Sequence, residues 1–296
     1  MKGRTAVTLH ERSEKLLKSK IRNLHRQEFR FVFMGDSRGR GPADGCFTMA
    51  GEFELVLEQT LKLKPLFIVH GGDTVFTGEV QYLAHFVRYV EKHVPDIPMF
   101  VAIGNHDELF LNQSNVENFE ATIGKVHWKI DIPKFDFRCF SLNNIISPSN
   151  SIYGFTDLEL DYLGHQLEIS PRNTIVAMHA QPSIGRWSTL DGFPVDTPES
   201  QRFFQLIEQF RHKVKKVLVS HVHAYDEQFI SLSPTGELIV GIGTDYVLTG
   251  GAGAPLDTSI PLIYNSYNFV QFFVNRHGVS SPDLHRVFGL PKKPCV

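Results

Sequence analysis

The 296-residue chain carries 30 Lys and Arg against 32 Asp and Glu, a formal net charge of −2, and 42% of its residues are apolar. That length suits one large domain with a full core, and 24 Phe with 8 Tyr set the chain apart from the aromatic-poor composition of disorder. The near-neutral balance argues against a general nucleic-acid binder, and three widely spaced cysteines, Cys46, Cys139 and Cys295, suggest neither a disulfide framework nor a Cys-based zinc site.

The first thirty residues hold nine Lys and Arg against Glu11, Glu14 and Glu28, a local +6 that leaves the remainder near −8. Residues 1–28 are read as a basic helical extension. Leu16, Leu17, Ile21 and Leu24 at helical spacing favour a docked, solvated helix over one that touches membrane or nucleic acid. The start lacks the apolar stretch and cleavage site of a secretory signal, and no window approaches about 18 uninterrupted apolar residues. The default expectation is a soluble, cytoplasmic protein without a membrane span.

Residues 29–296 are expected to form a single domain. Three short apolar runs end abruptly in polar, Gly-rich segments: FRFVFM before GDSRGRG, PLFIVH before GGDT, and PMFVAI before GNHD. They read as buried strands, and the helical patterns at 50–63 and 79–93 between them predict βα units on a parallel sheet. VHWKIDI and FDFRCFSLNN predict two more strands, and Thr156 with Glu159 begins a helix to about residue 169. TIVAMHA reads as a strand, Thr197-Pro198 opens a helix to about 212, and KKVLVS is a strand running into HVH. FISLS with ELIVGI, and FVQFFVN with VSSPDL, suggest antiparallel hairpins.

Asp36, Asp73, Asn105, His106, Asp107, His179, His221 and His223 all follow predicted strands directly. Each alone has a plain explanation, as a turn aspartate, a hydrogen-bonded strand-end histidine or a solvated loop pair. Together they point elsewhere. Strand ends of an open α/β sheet collect at one edge, and imidazoles, carboxylates and an amide oxygen are the donors a transition-metal hydrolase needs.

In their order, Asp36-Ser37-Arg38, Gly72-Asp73, Gly104-Asn105-His106-Asp107, His179 and Ser220-His221-Val222-His223 resemble the five-block signature of the calcineurin-like metallophosphoesterases. The resemblance implies a four-layered α/β/β/α sandwich of two mixed sheets flanked by helices, with a dinuclear centre. It further implies that Asp73 bridges two metals, with Asp36 and His223 on the first and Asn105, His179 and His221 on the second. Two cations about 3.5 to 4 Å apart would sharpen a bridging hydroxide for in-line attack. His106 would hydrogen-bond the phosphoryl oxygens or protonate the leaving oxygen, oriented by a carboxylate such as Asp107.

The chain departs from that pattern at Arg38, where most members carry a metal-binding His; a guanidinium has no lone pair for a cation. The related purple acid phosphatases supply a Tyr three residues after the second-block Asp, where this chain has Phe76. The first site is therefore expected to bind more weakly, and Arg38 either turns away in a structural ion pair or grips substrate phosphate. The run 250–255 reads as a flexible connection, with a backbone phosphate cradle as the alternative. The loop 183–198, with Arg186, Trp187, Asp191 and Phe193, is either a leaving-group selector or ordinary surface.

The expected function is metal-dependent hydrolysis of small phosphate monoesters or diesters with one or two ions among Mn, Fe, Zn and Ni. The alternatives are a non-catalytic metal-binding or scaffold protein on the same fold, and a nuclease. The sequence carries no reading of oligomeric state.

Overall fold

The structure, a computed structural model, describes residues 7–108, 113–145, 153–257, 266–291 and 293–296. Lys2 and Arg4 of the basic segment lie outside the described residues. In chain order the elements are α1 (Leu9–Arg22), β1 (Glu28–Met34), α2 (Gly51–Leu63), β2 (Ile68–His70), α3 (Val80–His93), β3 (Met99–Val101), α4 (Asn105–Glu108) and α5 (Gln113–Thr122). They continue with β4 (Lys129–Ile132), β5 (Phe137–Ser141), α6 (Asp157–Glu168), β6 (Asn173–Ala177), α7 (Pro198–Gln209), β7 (Val214–Val219) and β8 (Tyr225–Leu232). The last are β9 (Leu238–Val240), β10 (Thr244–Thr249), β11 (Tyr267–Asn275), β12 (Gly278–Val279) and β13 (Asp283–Val287).

Two mixed sheets form. One has the order β12-β11-β1-β2-β3 with β13 on β11, and the other β4-β5-β6-β7-β10-β8-β9. Alternation along β1 shows how the layers arise. Phe29, Phe31 and Phe33 join an aromatic core with Phe137, Ile175, Leu218 and Val247 of the second sheet, while Val32 and Met34 face the helices. Phe31 stacks at 5.1 Å from Phe67 and 5.0 Å from Phe272, and lies 5.9 Å from Phe137 across the sheets. Burying such a ring contributes roughly 2–3 kcal/mol. Helices α2 and α3 supply Phe53, Val56, Leu83 and Phe86 to the outer core, and α6 and α7 supply Leu160, Leu163, Phe203 and Phe204. The architecture is the expected α/β sandwich.

Helix α1 opens with a capping box between Thr8 and Glu11. Its apolar face buries Leu9 and Leu17, and Ile21 and Leu24 pack half-buried on the inter-sheet core. Two polar side chains then cover β3, the edge strand of the first sheet. Ser13 Oγ donates to the Met99 carbonyl at 2.8 Å and accepts from Met99 N at 3.0 Å, and His10 Nε2 accepts from Val101 N at 3.0 Å. An edge that would otherwise invite another strand is thereby satisfied.

Burial lowers the His10 pKa from 6.5 to about 3. The folded state thus keeps the ring neutral while the unfolded chain takes up a proton below about pH 6.5. Stability present above that pH is lost progressively as the pH falls toward 3. We expect urea titrations to show the wild type losing about 2 kcal/mol more than His10→Gln between pH 7 and pH 5. Parallel pH profiles for the two proteins would contradict this linkage.

Two features differ from expectation. Strand β10 lies centrally in the second sheet, parallel to β7 and antiparallel to β8. It is buried throughout, so it shows no polar alternation, and the glycines on either side give it the local appearance of a loop. The cysteine reading also needs correction: Cys46 and Cys295 form a disulfide across 249 residues, while Cys139 is a buried free thiol. Pairing at such separation depends on where the chain ends are brought, and spacing alone does not encode it. Among the described residues no helix is long and apolar enough to cross a membrane.

Candidate metal centre

Strands β1, β2, β3, β6 and β7 all end on one edge of the sandwich, and each hands the chain to a polar residue. Asp36, Asp73 and His221 adopt left-handed backbone conformations, with φ of 61°, 56° and 74°. Aspartate tolerates this region, but for His221 it is a strained geometry that surrounding contacts must over-determine. Close approach is enforced at Gly104, where a Cβ would lie 2.3 Å from both Asp73 N and Asp73 Oδ1. Only a residue without a side chain lets the second and third blocks meet.

The donors converge from these ends. Asp73, His179 and His221 each place one ligand atom within 4.8 Å of the others. His179 Nδ1 lies 2.8 Å from the Gly71 carbonyl and must carry the proton, which leaves the Nε2 lone pair 3.0 Å from Asn105 Oδ1 and 3.4 Å from Asp73 Oδ1. Burial lowers the His179 pKa to about 4, so the ring is neutral at pH 7. Three electron-pair donors facing one another with no proton between them suit a cation.

A second convergence adjoins the first. His223 Nδ1 donates to the Pro255 carbonyl at 2.6 Å, and its Nε2 lies 3.6 Å from Asp36 Oδ1, a buried oxygen without a hydrogen-bond partner. Asp36 Oδ2 accepts from His221 N at 3.0 Å. Burial first, and then the Asp73 charge, push the Asp36 pKa well above the usual carboxylate value. Burial acts in the same direction on Asp73, but the imidazoles of His179, His106 and His221 and the Arg38 guanidinium around it favour the anion and hold that carboxyl below its ordinary range. Asp73 is the anionic centre of the group.

Arg38 points inward. Its Nε donates to Asp73 Oδ2 at 3.3 Å, NH1 donates to the Gly39 carbonyl at 3.3 Å, and the guanidinium lies 5.8 Å from the centre of the Phe76 ring. The ion pair is thus made with the carboxylate between the two donor groups, and the side chain is only 15% exposed. Phe76, at the position of the tyrosine ligand of purple acid phosphatases, serves instead as an apolar wall for Arg38 and for His106, whose ring centre is 5.1 Å away.

His106 and Asp107 are not paired as expected. His106 Nδ1 donates to the Phe76 carbonyl at 2.7 Å, and Nε2 sits 4.0 Å from Asp73 Oδ2. Asp107 is fully buried and accepts from Asp73 N at 2.9 Å, Thr74 N at 2.9 Å, Thr74 Oγ1 at 2.6 Å and Gly104 N at 3.0 Å. From α4 its carboxylate reaches back into the turn after β2, so it ties two loops together and leaves the orientation of His106 to a main-chain oxygen. Thr74 and Gly71 have no distinguishing signal in the sequence, since their roles depend on partners 33 and 108 residues away.

The run 250–255 packs into the fold beside the turn after β1. Residues 250–254 are buried, and the N–H groups of Ala252 and Ala254 are committed to the Gly35 and Asp36 carbonyls at 2.9 and 2.8 Å. In the loop 183–198, Trp187 and Phe193 belong to the core. Arg186 forms a forked pair with Asp226 at 2.9 and 2.7 Å, which commits it away from the centre. Asp191 instead stands beside His221.

The calcineurin-like phosphoesterase family model matches residues 29–250, most of the chain. No curated protein matches the sequence. Among solved structures, the fold is similar to purple acid phosphatase PPD1 from yellow lupin (Lupinus luteus) seeds, with a TM-score of 0.57, 17% identity, and coverage of 83% of this chain and 49% of that one. It is similar as well to GAP50, the anchor in the inner membrane complex of Plasmodium, with a TM-score of 0.57, 11% identity and 92% coverage of both chains. PhoD gives a TM-score of 0.59 at 11% identity over 88% of this chain and 69% of that one. At such identities the likeness concerns the fold, and the chain spans about half the length of the lupin phosphatase. Signature blocks, sandwich and a family match across 29–250 lead to one assignment: the chain belongs to the calcineurin-like phosphoesterase family.

Proposed function

We propose that the protein is a metal-dependent phosphoester hydrolase with one tightly held ion at Asp73, Asn105, His179 and His221, and a weaker first position at Asp36, Asp73 and His223 in which Arg38 competes for the shared carboxylate. The observation that carries this reading is the convergence of lone pairs from Asp73, Asn105 and His179, together with the buried, unpartnered Asp36 Oδ1 and His221 Nδ1. Mixed imidazole and oxygen donors suit Mn, Fe, Zn and Ni alike. A bound divalent ion supplies Lewis acidity toward a phosphoryl oxygen and toward attacking water.

The chain's own groups do the rest. Arg38, released from Asp73 by an incoming phosphate, presents a planar fork that matches two phosphoryl oxygens. His106 is neutral at rest because burial lowers its pKa, and its Nδ1 proton is committed to Phe76. Its Nε2 can take up a proton from solvent when a bound phosphate anion favours the imidazolium, and that proton passes to the leaving oxygen as the P–O bond to it breaks. Small mono- or diesters are the substrates this reading supports. The disulfide favours an oxidising compartment over the cytoplasmic default.

The Arg38–Asp73 pair also favours a second reading, a non-catalytic protein that keeps the fold, because it partly neutralises the anion a first metal would need. One set of measurements separates the two. Protein prepared without chelator is expected to hold close to one ion per chain and to turn over a chromogenic phosphate monoester or diester when Mn²⁺, Fe²⁺, Zn²⁺, Ni²⁺ or Mg²⁺ is supplied. Arg38→His is expected to raise the ion count toward two and to weaken phosphate affinity about tenfold, the loss of one charge-assisted fork. Folded protein inactive with every metal would favour the non-catalytic reading, and unchanged metal content with unchanged kinetics in Arg38→His would remove Arg38 from the account.

A further inference from the structure

We propose that Asp191 is a positioning residue for the metal centre: from the loop between β6 and α7 it fixes the His221 imidazole so that Nδ1, and not Nε2, is offered to the ion. The inference rests on the reading of the site as a metal centre. His221 Nε2 lies 3.6 Å from Asp191 Oδ2, while Nδ1 on the opposite edge of the same ring is buried and has no hydrogen-bond partner. One ring nitrogen thus faces a carboxylate at ion-pair distance, which favours the proton on that side of the ring. The other keeps its lone pair, and His221 sits in the group whose ligand atoms fall within 4.8 Å of one another.

A second contact reaches the imidazole from its face. The Tyr153 ring is 4.6 Å from the His221 ring, tilted against it. A carboxylate at one edge and a tyrosine ring on one face thus flank the imidazole and restrict its rotation. This matters at a residue with φ of 74°, whose backbone does not by itself prefer the conformation it adopts.

Asp191 is exposed at its side chain, with 75% of it accessible, but its backbone is anchored. Gln181, fully buried and two residues beyond His179, donates from Nε2 to the Asp191 carbonyl at 2.7 Å and accepts from Phe193 N at 3.0 Å through its own carbonyl. At Gly192 a Cβ would lie 2.4 Å from the Gln181 carbonyl, so the loop approaches as closely as a backbone can. The far end of the loop is held by Arg186 and Trp187 on Asp226. The segment carrying one donor, His179, thereby sets the carboxylate that orients a second, His221. A carboxylate outside a metal-ligating imidazole fixes its tautomer and raises its basicity, and loss of such a partner typically weakens metal binding 10- to 100-fold.

The test is titration of Mn²⁺ and Zn²⁺ into metal-free wild type, Asp191→Ala, Asp191→Asn and Tyr153→Phe by calorimetry, with the visible spectrum of the Co²⁺-loaded proteins as a reporter of donor geometry. We expect Asp191→Ala to bind 10- to 100-fold more weakly with an altered Co²⁺ spectrum. Asp191→Asn, whose amide oxygen still accepts from Nε2, should recover most of the affinity, and melting in chelator should be the same for all four proteins. A loss of metal affinity without a loss of metal-free stability is what separates positioning from a merely structural role. Asp191→Ala binding within twofold of wild type, with an unchanged spectrum, would overturn the inference and leave the metal centre standing. Failure of the wild type to bind either ion would overturn the metal-centre reading itself, and this inference with it.

Discussion

Asp73→Asn is expected to abolish ion binding at the centre and to lower phosphoester turnover by at least about 10³-fold, roughly 4 kcal/mol of transition-state stabilisation. The substitution isolates charge from shape. Asparagine tolerates the left-handed backbone that Asp73 adopts, at φ of 56°, so the turn after β2 persists. The amide oxygen can still accept from His106 N, which is 2.9 Å from Asp73 Oδ1. What disappears is the carboxylate charge that pairs with Arg38 and is shared between the two donor groups. Metal analysis and turnover would be measured on the same preparation, with circular dichroism to establish folding. A folded Asp73→Asn protein that retains its ion and turns over within tenfold of wild type would remove Asp73 from the centre of the site.

The second large effect concerns stability. Cys46→Ser, or reduction of the wild type, is expected to cost roughly 5 kcal/mol, because the cross-link closes a loop of 249 residues and the entropy removed from the unfolded chain grows with loop length. For a chain of this size that corresponds to a fall in Tm of about 10 °C or more. Native contacts around the bridge reinforce it. Thr48 Oγ1 donates to the Val296 carbonyl at 2.7 Å, and Val296 N and Gly51 N bond the Met49 and Pro294 carbonyls at 3.1 Å each. The tail is thus laced to the start of α2. The neighbouring Phe47 stacks 5.6 Å from Tyr82 and sits edge-on 5.9 Å from Phe76, the ring beneath Arg38 and His106, so loosening the tail also relaxes one wall of the site. Differential scanning calorimetry with and without reductant would measure the shift. Thiol labelling that finds three free cysteines in natively purified protein, or identical melting in both conditions, would refute the prediction.

The turn after β2 and the disulfide differ in how local their causes are. The turn after β2 announces itself, since an apolar run ending in Gly-Gly-Asp is a local pattern of a buried strand and its terminus. The Cys46–Cys295 bridge does not, because nothing near either cysteine encodes the other. Asp107 shows the same limit on a smaller scale. Its place beside His106 in the chain suggests a partnership, yet the first turn of α4 directs its carboxylate back to Asp73, Thr74 and Gly104, and the Phe76 carbonyl takes the His106 proton instead. The chemistry of Arg38 allows two roles, and only its 3.3 Å contact with Asp73 Oδ2 shows which way it turns.

The amino-acid sequence by itself determined the alternation of strands and helices through residue 107, the donor types at the strand ends and the absence of a ligand at Arg38, because period, turn chemistry and side-chain chemistry are properties of neighbouring residues. The tertiary structure alone decided the central place of β10, the disulfide, the ion pair of Arg38 and the approach of Asp191 to His221. Each of these depends on a partner 14 to 249 residues away, and such partners are chosen by how two sheets pack and where loops are anchored.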